Sequence, residues 1–377
     1  MMPDSEAGDP TPSVPPTAGD ILSTTSASSE FDPLQFEHTS AGSPGVLVGI
    51  DGSESATAAL EWAGAEAALR DRPLTIVYVD SPRVTGHLSA RPVSTLEVLR
   101  TTADELLDDA AATVRRRWPD LAITRVARSG GVVPRLVDES AGKELAVVGS
   151  RGLGGFRGLL LGSVGIGMAS HAPCPVIVVR GDAPLPTVGA EAPIVVGVDG
   201  SHHADQALFA AFEEASRRRC PLFVVHSWQD PTTDSFTAED EEHRQPEFDE
   251  RDWTSYASQR LATTLASFRL RFPDVAVTPS VEWRRPNVAL QERAEGAQLL
   301  VVGNRGRSPL ASLVLGSTSR VMIQQAPCPV LVVRGDPPSA ADTTSEKPSR
   351  DTPRETSVDS AADTTELMGG PAPTETA

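Results

Sequence analysis

The chain carries one pattern twice, and that repeat limits the possible folds more than any other feature. Gly45–Ser53 reads GVLVGIDGS and Ile194–Ser201 reads IVVGVDGS, with Gly49 and Gly197 148 residues apart. RDRPLTIVYVD from Arg70 and RRCPLFVVHSW from Arg218 keep that offset. Further on, WPDLAI at Trp118 matches FPDVAV at Phe272, AVVGSRG at Ala146 matches LVVGNRG at Leu300, and APCPVIVVRG at Ala172 matches APCPVLVVRG at Ala326, all offset by 154. The six added residues fall in Gln229–Trp253, a stretch with ten acids against two arginines. Such self-repelling charge predicts a mobile insertion.

Within each copy, short β-branched runs alternate with helical patterns, as expected for βα units around a buried parallel sheet. Repeat one should place strands near 45–50, 74–79, 121–127, 145–149 and 175–180. Ser53 suits a helix N-cap. The helix after it has an inner face of Ala56, Ala59, Leu60, Ala63 and Ala67, repeated as Ala204, Ala207, Leu208, Ala211 and Ala215. The fold class is therefore α/β, with two tandem doubly wound five-stranded parallel-sheet domains over 44–183 and 192–335. The closing strands Val176–Val179 and Val330–Val333 would each be an apolar sheet edge. They are expected to pair with each other as an intramolecular pseudo-dimer, with room for a further homodimer.

The charge is uneven. Lys and Arg number 33 against 51 Asp and Glu, a net −18, which disfavours nonspecific nucleic-acid binding. Residues 1–43 carry seven acids and no Lys or Arg, and 335–377 carry nine acids and three bases. Both ends (1–43 and 336–377) are rich in Ser, Thr, Pro and Ala without apolar periodicity, so they are expected to be disordered acidic tails. Only 17 residues are aromatic, so the cores must be built from Val, Leu, Ile and Ala. The opening MMPDSEAGDP has no apolar signal region, and no run of 18 uncharged apolar residues offers a membrane span. Three cysteines without a C-x-x-C pair fit a reducing compartment, so a cytoplasmic location is expected.

In open parallel sheets ligands collect at the carboxyl ends of the strands. The first strand of each repeat ends in Asp51 or Asp199. Either can accept from a ribose hydroxyl or an adenine amine, or can simply stabilise a helix start. The fourth strand runs into Gly149-Ser-Arg-Gly152, nine residues, then Gly162-Ser163. Its counterpart is Gly303-Asn-Arg-Gly306, nine residues, then Gly316-Ser317. These glycines let backbone N–H groups approach a phosphate, and a helix N-terminus after each serine suits an anion. Ser163 and Ser317 could cap those helices or touch a phosphate oxygen. The chain has no G-x-x-x-x-G-K-[ST] loop, and no G-x-G-x-x-G follows the first strand. No nucleophile–base pair, carboxylate pair or metal-ligand cluster stands out, so neither catalytic nor metal-binding residues are assigned. His202 and His203 could reach a ligand or be solvated residues of a helix start. Arg115–Arg117 reads as the solvated end of a helix. Cys174 and Cys328 read as small buried hydrophobes, and Cys220, after an arginine run, is the one thiol whose neighbours argue for a lowered pKa.

GVLVGIDGS, the doubled G-x2-G-x9-G-S loop and APCPVIVVRG resemble the universal stress protein family, in its tandem form. The resemblance spans both repeats and implies an adenine-nucleotide-binding fold, akin to the adenine-nucleotide alpha hydrolases, that takes ATP or another adenine nucleotide, with or without Mg2+. It places Asp51 and Val79 beside the adenosine and Gly149, Gly152, Gly162 and Ser163 beside the phosphates. Repeat two supplies Asp199, Ser227, Gly303, Gly306, Gly316 and Ser317. Gly49, Arg151, Val164, Gly197, Arg305 and Thr318 complete the candidate set. The departures lie in repeat two. Ser227, flanked by His226 and Trp228, is expected to make the adenine side more polar. Thr318-Ser319 stands where repeat one has Val164-Gly165. Arg307 and Pro309 replace Leu153 and Gly155, and Pro309 stiffens the loop. Repeat one is therefore expected to bind more tightly. The resemblance implies a stress-response binding or sensing module. An ATP-hydrolysing or nucleotidyl-transferring enzyme, or a scaffold with a structural nucleotide, are the competing classes.

Overall fold

The computed structural model describes residues 44–81, 93–152, 162–181, 183–228, 250–306 and 315–334. The expectations for both tails, for residues 229–249 of the acidic insertion, and for Leu153, Gly155, Arg307 and Pro309 lie outside those residues. The last four residues of the insertion, Glu250–Trp253, are not a loop: they open a helix.

Repeat one runs β1 (Val46–Ile50), α1 (Glu54–Arg70), β2 (Leu74–Asp80), α2 (Val93–Arg117), β3 (Ile123–Ser129), α3 (Val132–Glu139), β4 (Leu145–Gly149), α4 (Ser163–His171) and β5 (Val176–Val179). Repeat two follows as β6 (Ile194–Val198), α5 (His202–Arg218), β7 (Leu222–Trp228), α6 (Glu250–Arg271), β8 (Val277–Trp283), α7 (Pro286–Arg293), β9 (Leu299–Gly303), α8 (Ser317–Gln325) and β10 (Val330–Val333). Strand order is β3-β2-β1-β4-β5-β10-β9-β6-β7-β8 in one sheet, parallel within each repeat. The expected doubly wound halves are present. The expected junction is present too: Val330 lies opposite Val178, Leu331 opposite Ile177 and Val332 opposite Val176, in antiparallel register. Pairing the two apolar edges removes both.

Local chemistry explains the elements. The Ser53 hydroxyl accepts from Ala56 N at 3.1 Å, and Ser201 does the same for Ala204. All ten predicted inner-face residues of α1 and α5 are at most 5% exposed. Small side chains let these helices lie close to the sheet. One strand begins later than expected. Leu121 N bonds Trp118 O in a turn, so β3 starts at Ile123, level with Leu74. The helices α1 and α2 cover one sheet face over Val46, Val48, Leu74 and Ile76, while α3 and α4 cover the other over Leu47, Val77 and Val148. Both cores cross the β5–β10 junction.

Burial on α1 extends past the predicted stripe. Trp62 and Glu66 are fully buried, as is Arg218 on α5. Glu66 bonds Arg70 at 3.1 Å and Arg218; Glu214 bonds Arg70 and Arg218. Glu66 and Glu214 occupy equivalent positions, as do Arg70 and Arg218, so the four close a ring about a pseudo-twofold axis. Glu144 bonds Arg70 at 2.9 Å and Arg72 at 3.0 Å at the rim. Burial pushes the Glu214 carboxyl up, but Arg70, Arg218 and Arg217 outweigh it and hold it well below the usual carboxylate range. The connection between repeats is pinned to both: Trp62 donates to Pro184 O at 2.9 Å, and Thr187 N to Gln298 Oε1 at 2.8 Å.

All three cysteines are free and buried. Burial pushes the Cys174 and Cys328 thiols up to about 12. Cys220 departs from expectation: burial raises its pKa, and Arg218, committed to Glu66 and Glu214, does not reverse that. Among the described residues no helix is long and apolar enough to cross a membrane.

Candidate functional site

At the carboxyl end of repeat one, Asp51 ends β1 and accepts from Ser53 N through Oδ1 at 3.0 Å. That bond fixes the carboxylate and turns Oδ2 toward the loop after β4. A Cβ on Gly152 would sit 2.5 Å from Asp51 Oδ2, so any side chain there would have to displace the carboxylate. Repeat two copies the arrangement: Asp199 accepts from Ser201 N at 3.0 Å, and a Cβ on Gly306 would sit 2.5 Å from Asp199 Oδ2. The sequence left the aspartate between a ligand role and a helix-start role. In the structure Oδ1 serves the helix-start turn and Oδ2 faces the loop glycine.

Gly149 and Gly303 also need to be glycine, because the starts of α1 and α5 press on them. Added Cβ atoms would meet Ser55 Oγ at 2.5 Å and His203 O at 2.9 Å. The loop base is closed by backbone. Ser150 N donates to Val179 O at 2.8 Å and Gly162 N to Ser150 O at 2.7 Å; Asn304 and Gly316 repeat both bonds at the same lengths. The loop thus returns to its own start, which brings α4 and α8 to the site. Here the capping expectation is corrected. Gly162 and Gly316 are the N-caps, without a side-chain cap bond, and Ser163 and Ser317 are the first helical residues. Both serines are exposed. A helix start with no side-chain cap leaves its first N–H groups for an incoming acceptor. Val164 and Thr318 occupy the second helical position.

Val79 and Ser227 sit one residue beyond the Ile50–Tyr78 and Val198–His226 register pairs, and so beside Asp51 and Asp199. Val79 is buried. Ser227 is buried as well, and its hydroxyl donates to Arg284 O at 2.6 Å. Its proton serves the backbone of the β8–α7 turn, and half-buried His226 stands beside it. Gly49 and Gly197 lie within β1 and β6, where Leu136 and Leu290 pack over them. They let helices α3 and α7 approach the sheet and do not face the loop glycines. Arg151 is exposed, whereas Arg305 is half-buried.

Four features escaped the sequence reading. Ser55 accepts from Arg151 N at 3.1 Å and ties the loop to α1. Its position two residues after Ser53 was the available signal. Tyr78 stands near Asp51, and burial, then Asp80 and Asp51, raise its pKa; repeat two has His226, bonded to Val198 O at 2.9 Å. Asn304, 2% exposed, replaces Ser150, and among the described residues its Oδ1 has no hydrogen-bond partner. In repeat two Ser319 donates to Gly303 O at 2.5 Å, tying α8 to β9 where repeat one has Gly165. Among the described residues no group of acids, histidines and cysteines could hold a metal ion.

The universal stress protein family profile matches residues 45–180 and 192–334. A universal stress protein of Mycobacterium tuberculosis is 38% identical over 295 residues, covering 77% of this chain and 96% of that protein. One from Mycolicibacterium smegmatis is 36% identical over 294 residues, covering 77% and 97%. Among solved structures, a universal stress protein of Archaeoglobus fulgidus superposes with a TM-score of 0.59 at 22% identity, covering 78% of this chain and 99% of that one; this likeness bears on the fold alone. With its profile matched in both repeats and relatives of tandem length above 30% identity, the chain belongs to the universal stress protein family.

Proposed function

We propose that each repeat binds an adenine nucleotide, ATP or a close relative, and that the chain is a cytoplasmic binding or sensing module in a stress response. The observation that carries this reading is the twofold occurrence of one arrangement. A fixed aspartate oxygen lies against a loop glycine, beside a helix start without a side-chain cap. Oδ2 of Asp51 or Asp199, the oxygen turned to the loop glycine, would accept from ribose or base. The glycine loop and the first N–H groups of α4 or α8 would receive the phosphates. Among the described residues no group at either site could hold a metal, so a Mg2+ ion would ride on the phosphates and water. When bound, it would neutralise phosphate charge.

The first test is to denature the purified protein and identify released small molecules by mass spectrometry. An adenine nucleotide is expected. The absence of both copurified nucleotide and any heat of ATP binding in calorimetry would overturn the reading. Sustained phosphate release from ATP and Mg2+ would move it to hydrolysis.

A further inference from the structure

We infer that each repeat positions the loop-bearing helix of the other through Arg180 and Arg334, so that the two nucleotide sites are coupled across the pseudo-twofold axis. The ligand part of this inference rests on the nucleotide reading above; the positioning part does not.

Helices α4 and α8 have only nine residues each. Helices that short are not stable alone, so their placement depends on what holds their ends. At the N-terminus each is joined to its own loop base, by Gly162 N to Ser150 O and Gly316 N to Asn304 O. At the C-terminus the hold comes from the opposite repeat. Arg180 is the first residue after β5. Its Nη1 donates across the junction to Gln324 O at 3.0 Å and Ala326 O at 3.1 Å, the closing carbonyls of α8. Arg334, after β10, donates to Ala172 O at the end of α4 at 3.4 Å. The last carbonyls of a helix need outside partners, and a cation suits the negative end of the dipole.

Each arginine is also next to its own loop. Val179 O accepts from Ser150 N and Val333 O from Asn304 N, both at 2.8 Å. A continuous path therefore runs from the repeat-one loop base through Val179 and Arg180 to the end of α8, and along α8 to the repeat-two loop. The symmetric path runs back through Arg334 and α4. A phosphate that engages one helix start loads a helix whose far end rests on the other repeat. The two grips differ in strength. Arg180 is half-buried with two bonds, and Arg334 is exposed with one longer bond. Repeat two should depend more on Arg180 than repeat one depends on Arg334.

The test uses the full chain with Arg180→Gln, Arg180→Lys and Arg334→Gln, probed with ATP. A Gly162→Val background silences repeat one; among the described residues a Cβ there meets ordinary contacts at 3.5 Å, so folding should survive. In that background Arg180→Gln should weaken ATP binding about fivefold or more, the lower end of usual coupling. Arg180→Lys should recover part of the loss. In a Gly316→Val background Arg180→Gln should change ATP binding less than about twofold, well short of that coupling. A loss confined to the arginine's own repeat, or equal losses for Lys and Gln, would overturn the inference. Without ligand, Arg180→Gln should speed amide exchange in Ser317–Gln325 of repeat two more than in Ser163–His171. Unchanged exchange in α8 sinks the positioning role whether or not ATP binds. Absence of ATP binding in the unsubstituted protein counts only against the nucleotide reading.

Discussion

The pseudo-twofold axis and the two strand-end sites treat the repeat in opposite ways. On the axis the two copies carry the same residues: Glu66 and Glu214, Arg70 and Arg218, Arg180 and Arg334. At the strand ends they differ, with Ser55 against His203, Tyr78 against His226, Val79 against Ser227 and Ser150 against Asn304. The physical reason lies in the geometry of a twofold contact. There, residue i of one copy meets j of the other while j meets i. Changing Glu66 alone would leave Arg218 short of a partner in a place closed to water. The site residues interact within their own repeat and can drift independently. Symmetry keeps the inner ring uniform, though its rim differs with Glu144 against Gln298, and leaves the pockets free to specialise.

The largest expected effect breaks the axis. Glu66→Ala leaves a fully buried guanidinium with half its charge balance, a situation that costs about 3–5 kcal/mol. Replacing all four members of the ring with apolar residues of similar volume should cost much less, because no fully buried charge is left unpaired. Urea midpoints of the two variants check this. A four-residue variant as unstable as Glu66→Ala would show that the ring contributes net stability and not only register.

Next in size are substitutions at the sites. Gly152→Ala drives a Cβ into the Asp51 carboxylate, an overlap worth about 1–3 kcal/mol in stability. If the carboxylate moves instead, ATP affinity at repeat one should fall tenfold or more, about 1.4 kcal/mol. Gly306→Ala should do the same to repeat two and leave repeat one alone. Calorimetric titration of both variants decides whether the sites are as separate as their sequences imply.

Acid provides a smaller test at the rim of the axis. Burial raises the Glu144 pKa, but Arg70 and Arg72 outweigh it and leave it lowered overall. A carboxyl lowered on folding adds stability that is present above its unfolded value of about 4.3 and is lost as pH falls through the folded value. Melting temperature should therefore be level toward neutrality on this account and fall below about pH 4. Glu144→Gln should flatten the acid limb. An unchanged limb would assign acid sensitivity to other carboxylates.

Much of this was legible from the chain. The offset of 148, then 154, marks both repeats, and Ala59, Leu60 and Ala63 mark the buried face of α1. The junction followed from two apolar edges that required cover. The ionic ring did not show, because Glu66 and Arg70 at i and i+4 look like an ordinary solvated helix pair. Only the second repeat, folded over the first, puts them out of reach of water. At the sites, the glycines were legible because backbone approach is a property of one residue. The partner of Ser227 was not legible, because its hydroxyl donates to Arg284 O, 57 residues away, which no local pattern encodes.

The smallest effect tests how independently the repeats have changed away from the axis. In repeat one Arg128 on β3 bonds Glu139 on α3 at 2.6 Å. In repeat two the equivalent positions hold Glu282 and Arg293, bonded at 2.9 Å with the charges exchanged. The contact survives reversal because attraction depends on the product of the charges, and both arginines are about half exposed, so either orientation is solvated. Screened pairs of this kind contribute at most about 1 kcal/mol. Arg128→Glu or Glu139→Arg alone juxtaposes like charges and should lower stability by a few tenths of a kcal/mol up to about 1. The double exchange should recover most of that loss, and added salt should shrink every difference. If the double exchange is no better than the singles, the pair in repeat one is held by its surroundings, and the strand–helix contacts of the two repeats are less interchangeable than their shared backbone implies.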